Sequence, residues 1–331
     1  MNRQDTQDID GVMLLDKPAG WGSTDALNRV KRLLGARKAG HGGTLDPMAT
    51  GLLPLAFGLA TRFSHESLEA DKRYRATLLL GVVTDTADAE GRELRRRPVA
   101  ASESDIREAC AGFVGCIEQV PPMFSALKRD GRPLYEYARE GIELERAPRA
   151  VRIDAIDLLG VEPVPGVPDG EPGSRRVEIS VRCGKGTYIR TLAQDIGERL
   201  GCGAHLVALR REQVGGLGLQ GAVTLAQLES LDQAARLALL QPADTLVSGL
   251  PPLVLDEPHA RRFLHGQRLR LAAHTRADAA DTAGSPAADA EAGQRVRVYH
   301  GAHLIGTGQY DDGLLAPRRL LPLRINPTSP P

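Results

Sequence analysis

Ala39-Gly40-His41-Gly42-Gly43-Thr44-Leu45-Asp46-Pro47-Met48-Ala49-Thr50-Gly51-Leu52-Leu53 places four glycines, one histidine and a single carboxylate in one stretch of chain. Glycine admits positive φ and lets other groups approach the backbone closely. A residue before proline is driven out of the α region, so Asp46 is expected in an extended or turn conformation, its side chain projecting from a rigid bend. Two readings stand side by side at this point. One is a polar surface turn, because Asp, Gly and Pro are ordinary turn formers. The other is an aimed carboxylate with room kept around it.

Upstream, the apolar run Val12-Met13-Leu14-Leu15 ends at Asp16-Lys17-Pro18 and reads as a buried strand entering a turn. Thr24 is the expected cap of a helix from Asp25 to Leu34, with Ala26, Leu27, Val30, Leu33 and Leu34 on one face and Gly35 as its stop. Arg29, Lys31, Arg32, Arg37 and Lys38 lie between Ala26 and Leu45 with no acid among them, a local basic patch of the kind a nucleic-acid surface needs and a solvated helix face also produces.

Downstream, Leu52 to Ala60 is apolar and expected behind the loop. Tyr74, Ala76, Leu78 and Leu80 alternate with Arg73, Arg75 and Thr77, a half-buried strand. Thr84 to Gly91 is acidic without calcium-loop spacing and reads as a solvated turn. Ser102 with Asp105 forms a capping box before Ile106, Ala109, Cys110 and Phe113. From Pro121 to Val151, Tyr135 and Tyr137 are interleaved with Lys128, Arg129, Arg132 and Arg139, which suits a flexible RNA-contacting segment and equally a surface hairpin.

Strands are expected at Val151–Leu159 and Val177–Cys183, joined by a Pro-rich loop at 160–174. Gly184-Lys185-Gly186-Thr187 precedes a helix carrying Ile189, Leu192, Ala193 and Ile196, but lacks the full phosphate-loop pattern. Leu206–Leu209 reads as a short strand, and Thr224 with Gln227 as another helix cap. Pro251-Pro252 marks a boundary. Beyond it, strand-like runs at Leu253–Leu255, Arg268–Leu271, Arg295–Tyr299 and His303–Gly306 suggest a small β-barrel. Ala272–Gly293, nearly free of large apolar residues, reads as a disordered insertion.

Bulk properties exclude little. Lys+Arg and Asp+Glu both count 42, so net charge is silent about an anionic partner. The 331 residues suffice for one large and one small domain. Cys110, Cys116, Cys183 and Cys202 have neither C-x-x-C nor zinc spacing, which predicts reduced, partly buried thiols in a cytosolic protein. The polar N-terminus does not read as a signal peptide, and no apolar run is long enough to span a bilayer.

Gly40-His41-Gly42-Gly43-Thr44-Leu45-Asp46-Pro47-Met48-Ala49-Thr50-Gly51 resembles the catalytic motif of the TruB family of pseudouridine synthases. Leu15-Asp16-Lys17-Pro18, Asp71-Lys72-Arg73-Tyr74-Arg75, Lys185-Gly186-Thr187-Tyr188-Ile189-Arg190 and His205-Leu206-Val207-Ala208-Leu209-Arg210-Arg211 resemble further motifs of that family, in its order. The resemblance implies an α+β pseudouridine-synthase fold over residues 10–250, a mixed, mainly antiparallel sheet flanked by helices and loops. It implies an RNA-gripping insertion near 121–150 and a PUA-like RNA-binding β-barrel over 251–325.

By the same resemblance the chain isomerises uridine to pseudouridine at position 55 in the T-loop of tRNA, as a cytoplasmic monomer without guide RNA, membrane, metal or other cofactor. Asp46 is then the nucleophile, Arg190 its ion-pair partner, and Tyr74 the stacking face for the flipped base and a candidate proton acceptor. His41 helps hold the everted nucleotide. Gly42 and Gly43 leave room for it, Tyr188 and Leu209 line the pocket, and Lys17 supports the loop. Extruding a base costs a few kcal/mol of stacking, which such contacts offset. Two other readings compete: a non-catalytic tRNA-binding or tRNA-folding protein, and a nucleotide-binding enzyme using the Gly-Lys-Gly-Thr turn.

Overall fold

The structure is a computed structural model and describes residues 6–164, 173–271 and 293–322. Its frame is a ten-stranded mixed sheet. In spatial order the main path runs Val223–Thr224, Gly11–Lys17, Thr50–Phe57, Ala204–Val214, Lys72–Leu80, Arg175–Cys183, Arg149–Pro163 and Gly115–Gln119. Ala39–His41 pairs with Thr50–Phe57, and Leu217–Gly218 pairs with Ala204–Val214. Among the described residues, two strand pairings of this sheet are parallel, Val223–Thr224 on Gly11–Lys17 and Thr50–Phe57 on Ala204–Val214, and the others are antiparallel. The sheet is therefore mainly antiparallel, as expected.

The uninterrupted apolar run at Val12–Leu15 follows from burial on both faces of the sheet. Met13 and Leu15 join the main core, with Val30 and Leu34 of the helix Ser23–Leu34 and Leu192 and Ile196 of the helix Ile189–Arg199. Val12 and Leu14 face the other way, into a second cluster with Leu52, Phe63, Val247 and Leu321.

Several expectations need correction. Thr24 does not cap its helix: Gly22 holds the N-cap without a side-chain hydrogen bond, and Gly35 ends the helix in the left-handed region. The strand expected at 206–209 spans Ala204–Val214 in the middle of the sheet; its Arg-Arg-Glu run conceals a strand whose arginine at 211 is buried. The strand Arg149–Pro163 reaches well into the stretch expected as a loop; residues 165–172 of that loop lie outside the described residues. All four cysteines are free, and Cys116 is exposed rather than partly buried. Both expected capping boxes, Ser102 with Asp105 and Thr224 with Gln227, are present.

Beyond residue 250, five strands run in the order Pro252–Leu255, Gln294–His300, His303–Asp311, Leu314–Leu320 and Leu269–Arg270. This curled, half-barrel sheet is compatible with a PUA-like domain. The helix Glu257–Leu264, unforeseen from the sequence, packs Ala260 and Phe263 onto it. Its signal was present: the Asp256 side chain accepts from the His259 N–H, and Pro258 sits in the first turn. The expected insertion at 272–293 lies outside the described residues except for Gly293. Arg295 pairs with Glu66, and Arg62 Nη1 donates to the Leu320 carbonyl at 2.7 Å, joining this part to the helical segment 58–69 that follows the strand Thr50–Phe57.

Candidate active site

The register of the large sheet sets up the site. Lys17 lies opposite Gly51, Gly51 beside Arg211, and Arg211 opposite Tyr74, so four residues from four adjacent strands form one row. The close approach of two strands in this row requires glycine at 51. Its φ is +101°, and a Cβ there would stand 2.2 Å from the Arg211 carbonyl oxygen.

The Asp46 loop lies across this row and is tied at successive backbone groups. The Leu45 N–H donates to Ser23 Oγ at 2.7 Å, and the Ser23 hydroxyl donates to the Leu45 carbonyl at 3.0 Å. The Pro47 carbonyl accepts from the Gly20 N–H at 2.8 Å and from Lys17 Nζ at 3.4 Å. Lys17 is fully buried and also donates to the carbonyls of Pro18 and Trp21; burial lowers its pKa to about 8. Arg211, 1% exposed, donates to the carbonyls of Leu52, Gly43 and Thr44 at 2.8, 3.2 and 3.4 Å. A buried guanidinium with this many acceptors satisfies its own donors while fixing the loop.

At the tip, Arg190 Nε meets Asp46 Oδ2 at 2.9 Å and Nη2 donates to Oδ1 at 3.3 Å. The Arg190 side chain is only 4% exposed, whereas one third of the Asp46 side chain reaches solvent. The remaining Arg190 donors are taken by the Phe124 carbonyl at 2.6 Å and the Thr86 carbonyl at 3.4 Å. Burial pushes the Asp46 pKa above its ordinary value, with Arg190 and Lys17 pulling it back and Asp88 pushing it further up.

Asp88 corrects the reading of Thr84–Gly91 as a solvated turn. It is buried, with Oδ2 3.7 Å from Arg190 Nη1 and Oδ1 accepting from the Thr86 hydroxyl at 2.5 Å and the Glu90 N–H at 3.1 Å. Glu90 is pushed up by its own desolvation and by the charges of Asp88 and Asp46. Asp88 and Arg211 are the residues the sequence reading missed; Arg211 was within a quoted motif, and its burial was the absent information.

Burial pushes the Tyr74 pKa above its ordinary value, and the nearby Arg211 charge pulls it back. His41 is half-buried with Nδ1 unpartnered, and burial followed by the Arg211 charge lowers its pKa, so the imidazole is neutral. Tyr188 stands at the N-terminus of the helix that carries Arg190; its N–H donates to Gln119 Oε1 at 3.0 Å, and its carbonyl accepts from Gln119 Nε2 at 3.3 Å. Leu209 is buried in the main core, opposite Ala76. Gly42 and Gly43 are buried, and the close approach at Gly42 comes from the protein itself: an added Cβ would lie 2.2 Å from Ser67 Cβ. The Gly-Lys-Gly-Thr turn is occupied internally, Lys185 by Glu69 and the Thr187 hydroxyl by the Gly184 carbonyl. Among the described residues no three His, Cys, Asp or Glu side chains are grouped to hold a metal ion.

Residues 31–189 match the N-terminal domain of TruB family pseudouridylate synthases. Residues 190–248 match the tRNA pseudouridylate synthase B C-terminal domain, and residues 251–321 the C-terminal domain of pseudouridine synthase II TruB. Over 326 residues the chain is 53% identical to tRNA pseudouridine synthase B of Ralstonia nicotianae, covering 97% of each. It is 54% identical over 314 residues to tRNA pseudouridine synthase B of Burkholderia mallei, covering 95% of this chain and 97% of the relative. The chain belongs to the TruB family of pseudouridine synthases. It is an RNA isomerase by that membership.

Solved structures carry the same fold. A chain of a Cbf5-Nop10-Gar1 complex matches with TM-score 0.66 and 25% identity, covering 94% of this chain and 84% of that one. A chain of the archaeal box H/ACA sRNP Nop10-Cbf5 complex matches with TM-score 0.63 and 23% identity, covering 96% and 89%. In this TruB family member no helix among the described residues is long and apolar enough to cross a membrane.

Proposed function

We propose that this TruB family chain converts uridine to pseudouridine at position 55 in the T-loop of tRNA, with Asp46 as nucleophile. The observation that carries the reading is the Asp46–Arg190 pair: a partly exposed carboxylate on a buried cation, in a loop tied through Ser23, Gly20, Lys17 and Arg211. The N-glycosidic bond breaks, the uracil turns within the site, and a C–C glycosidic bond forms. Nothing is oxidised and no group leaves, so a nucleophile and a closed pocket meet the chemical requirement.

Arg190 pulls Asp46 back toward its ionised form against burial and leaves the outer lone pairs of its carboxylate for attack. Tyr74 offers its ring to the flipped base, and its phenolate form, which the Arg211 charge favours against burial, takes the proton released in rearrangement. The His41 ring, its pKa lowered by burial, helps hold the everted nucleotide. Tyr188 and Leu209 bound the pocket, Gly42 and Gly43 shape the loop's path, and Lys17 steadies the loop. The 121–150 segment and residues 251–325 grip the tRNA elbow, and the chain works as a cytoplasmic monomer without guide RNA.

The test is incubation with an unmodified tRNA transcript followed by mapping of pseudouridine. A single modification at position 55 is expected. Pseudouridine elsewhere, or none, would overturn the assignment of substrate site.

A further inference from the structure

The segment 121–150 carries an organised group of charges apart from the catalytic loop. A short hairpin, Lys128–Arg129 with Arg132–Pro133, leads into the helix Leu134–Arg139. Arg132 is engaged along its whole guanidinium edge. Nε donates to Glu136 Oε2 at 2.9 Å, Nη1 donates to Glu140 Oε2 at 2.9 Å, and Nη2 donates to Glu140 Oε1. Its carbon stands 4.5 Å from the centre of the Tyr137 ring. Nearby, Arg139 stands 5.2 Å from the centre of the Tyr135 ring. The group is at the surface: the Arg132 side chain is 34% exposed and that of Glu140 51%.

Two carboxylate oxygens accepting from one guanidinium fork reproduce the arrangement that a phosphodiester's two free oxygens make with arginine. Stacking on Tyr137 holds the fork flat and aimed. Exposed ion pairs are weak and screened by salt, so a phosphate can take the place of the carboxylates at low cost.

We propose that Arg132 is a backbone-phosphate site for RNA, filled in this structure by the carboxylates of Glu136 and Glu140, which are displaced when a phosphodiester binds. The proposal rests on the reading of segment 121–150 as RNA-gripping. The same segment also reaches the catalytic pair. The Phe124 carbonyl accepts from Arg190, and the next carbonyl, that of Ser125, accepts from the Tyr135 N–H at 3.1 Å. The competing account is a clasp: Arg132 and Glu136 are four residues apart, and such a pair also steadies a helix. The two accounts predict opposite signs.

The experiment measures equilibrium binding of the full chain to a tRNA transcript in which the target uridine is replaced by cytidine, so that no turnover occurs, over a range of salt. Four proteins are compared: wild type, Glu136→Gln/Glu140→Gln, Arg132→Gln, and all three substitutions together. Arg132→Gln should weaken binding and reduce the slope of log affinity against log salt by about 0.7 to 0.9, one phosphate contact. Removing the two carboxylates should tighten binding by about two- to five-fold, the scale of an exposed ion pair, and that gain should vanish when Arg132 is also replaced. A gain that persists without Arg132 would mean a general loss of repulsion and would overturn the proposal. Weaker binding after Glu136→Gln/Glu140→Gln would establish the clasp and also overturn it. An Arg132→Gln protein with unchanged affinity and salt slope would also overturn the proposal, because no phosphate would then rest on Arg132.

Discussion

Arg190 meets Asp46 edge-on, Nε to Oδ2 at 2.9 Å and Nη2 to Oδ1 at 3.3 Å, so both carboxylate oxygens rest on one buried cation. The same guanidinium also serves the Phe124 and Thr86 carbonyls. Arginine's planar fork does this and lysine's single ammonium does not. Arg190→Lys should therefore retain part of the stability but lower kcat at saturating tRNA by roughly 100-fold, the scale of losing one aimed donor. Arg190→Met should cost about 3–5 kcal/mol in unfolding free energy, because carbonyls and carboxylates would be left facing an uncharged group. Denaturant unfolding and single-turnover kinetics on the two variants check this. Near wild-type kcat in Arg190→Lys would show that charge alone suffices.

Burial raises Asp46 above its ordinary value near 3.8, and this gives activity and stability opposite pH dependences. Attack needs the carboxylate, so kcat/KM should fall as pH drops through the raised value. Between the ordinary and the raised value the folded chain holds a proton that the unfolded chain has released. Wild type should therefore lose stability as pH rises through that window, and Asp46→Asn should not. Unfolding free energies of the two proteins compared from about pH 4 to 7 test this. Parallel curves, with an acid limb of activity at the ordinary carboxylate value, would contradict it.

At Gly42 the constraint is a neighbouring side chain. The added methyl of Gly42→Ala would lie 2.2 Å from Ser67 Cβ and should destabilise by about 1–3 kcal/mol. Adding Ser67→Gly should recover most of that loss. Gly51→Ala meets the Arg211 backbone, at 2.2 Å from its oxygen and 2.8 Å from its nitrogen, and no side-chain change should rescue it. Unfolding midpoints of the single and double variants decide between space needed by the protein and space kept for a nucleotide. An unaffected Gly42→Ala fold with impaired tRNA binding would favour the nucleotide.

Local patterns made much of this architecture legible. Strands flanking the loop follow from apolar runs, two helix starts from capping boxes, and the loop's character from its glycines and Pro47. Arg211 and Asp88 were hidden because their surroundings look hydrophilic: one lies in an Arg-Arg-Glu run and the other among acidic turn residues. Each is buried by a partner far away in sequence, Arg211 by the row with Tyr74 and Gly51, Asp88 by Arg190. Sheet register and long-range ion pairs are not written in the spacing of neighbours. The helix Glu257–Leu264 was a different failure, since its Asp cap and proline were in plain view.

The most direct test of the account is Asp46→Asn with an unmodified tRNA transcript. Asparagine keeps the shape and an oxygen for Arg190, and it removes the nucleophile. The account predicts that tRNA still binds and that no pseudouridine forms even at long times with enzyme in excess. Pseudouridine formed at a rate near that of wild type would contradict it.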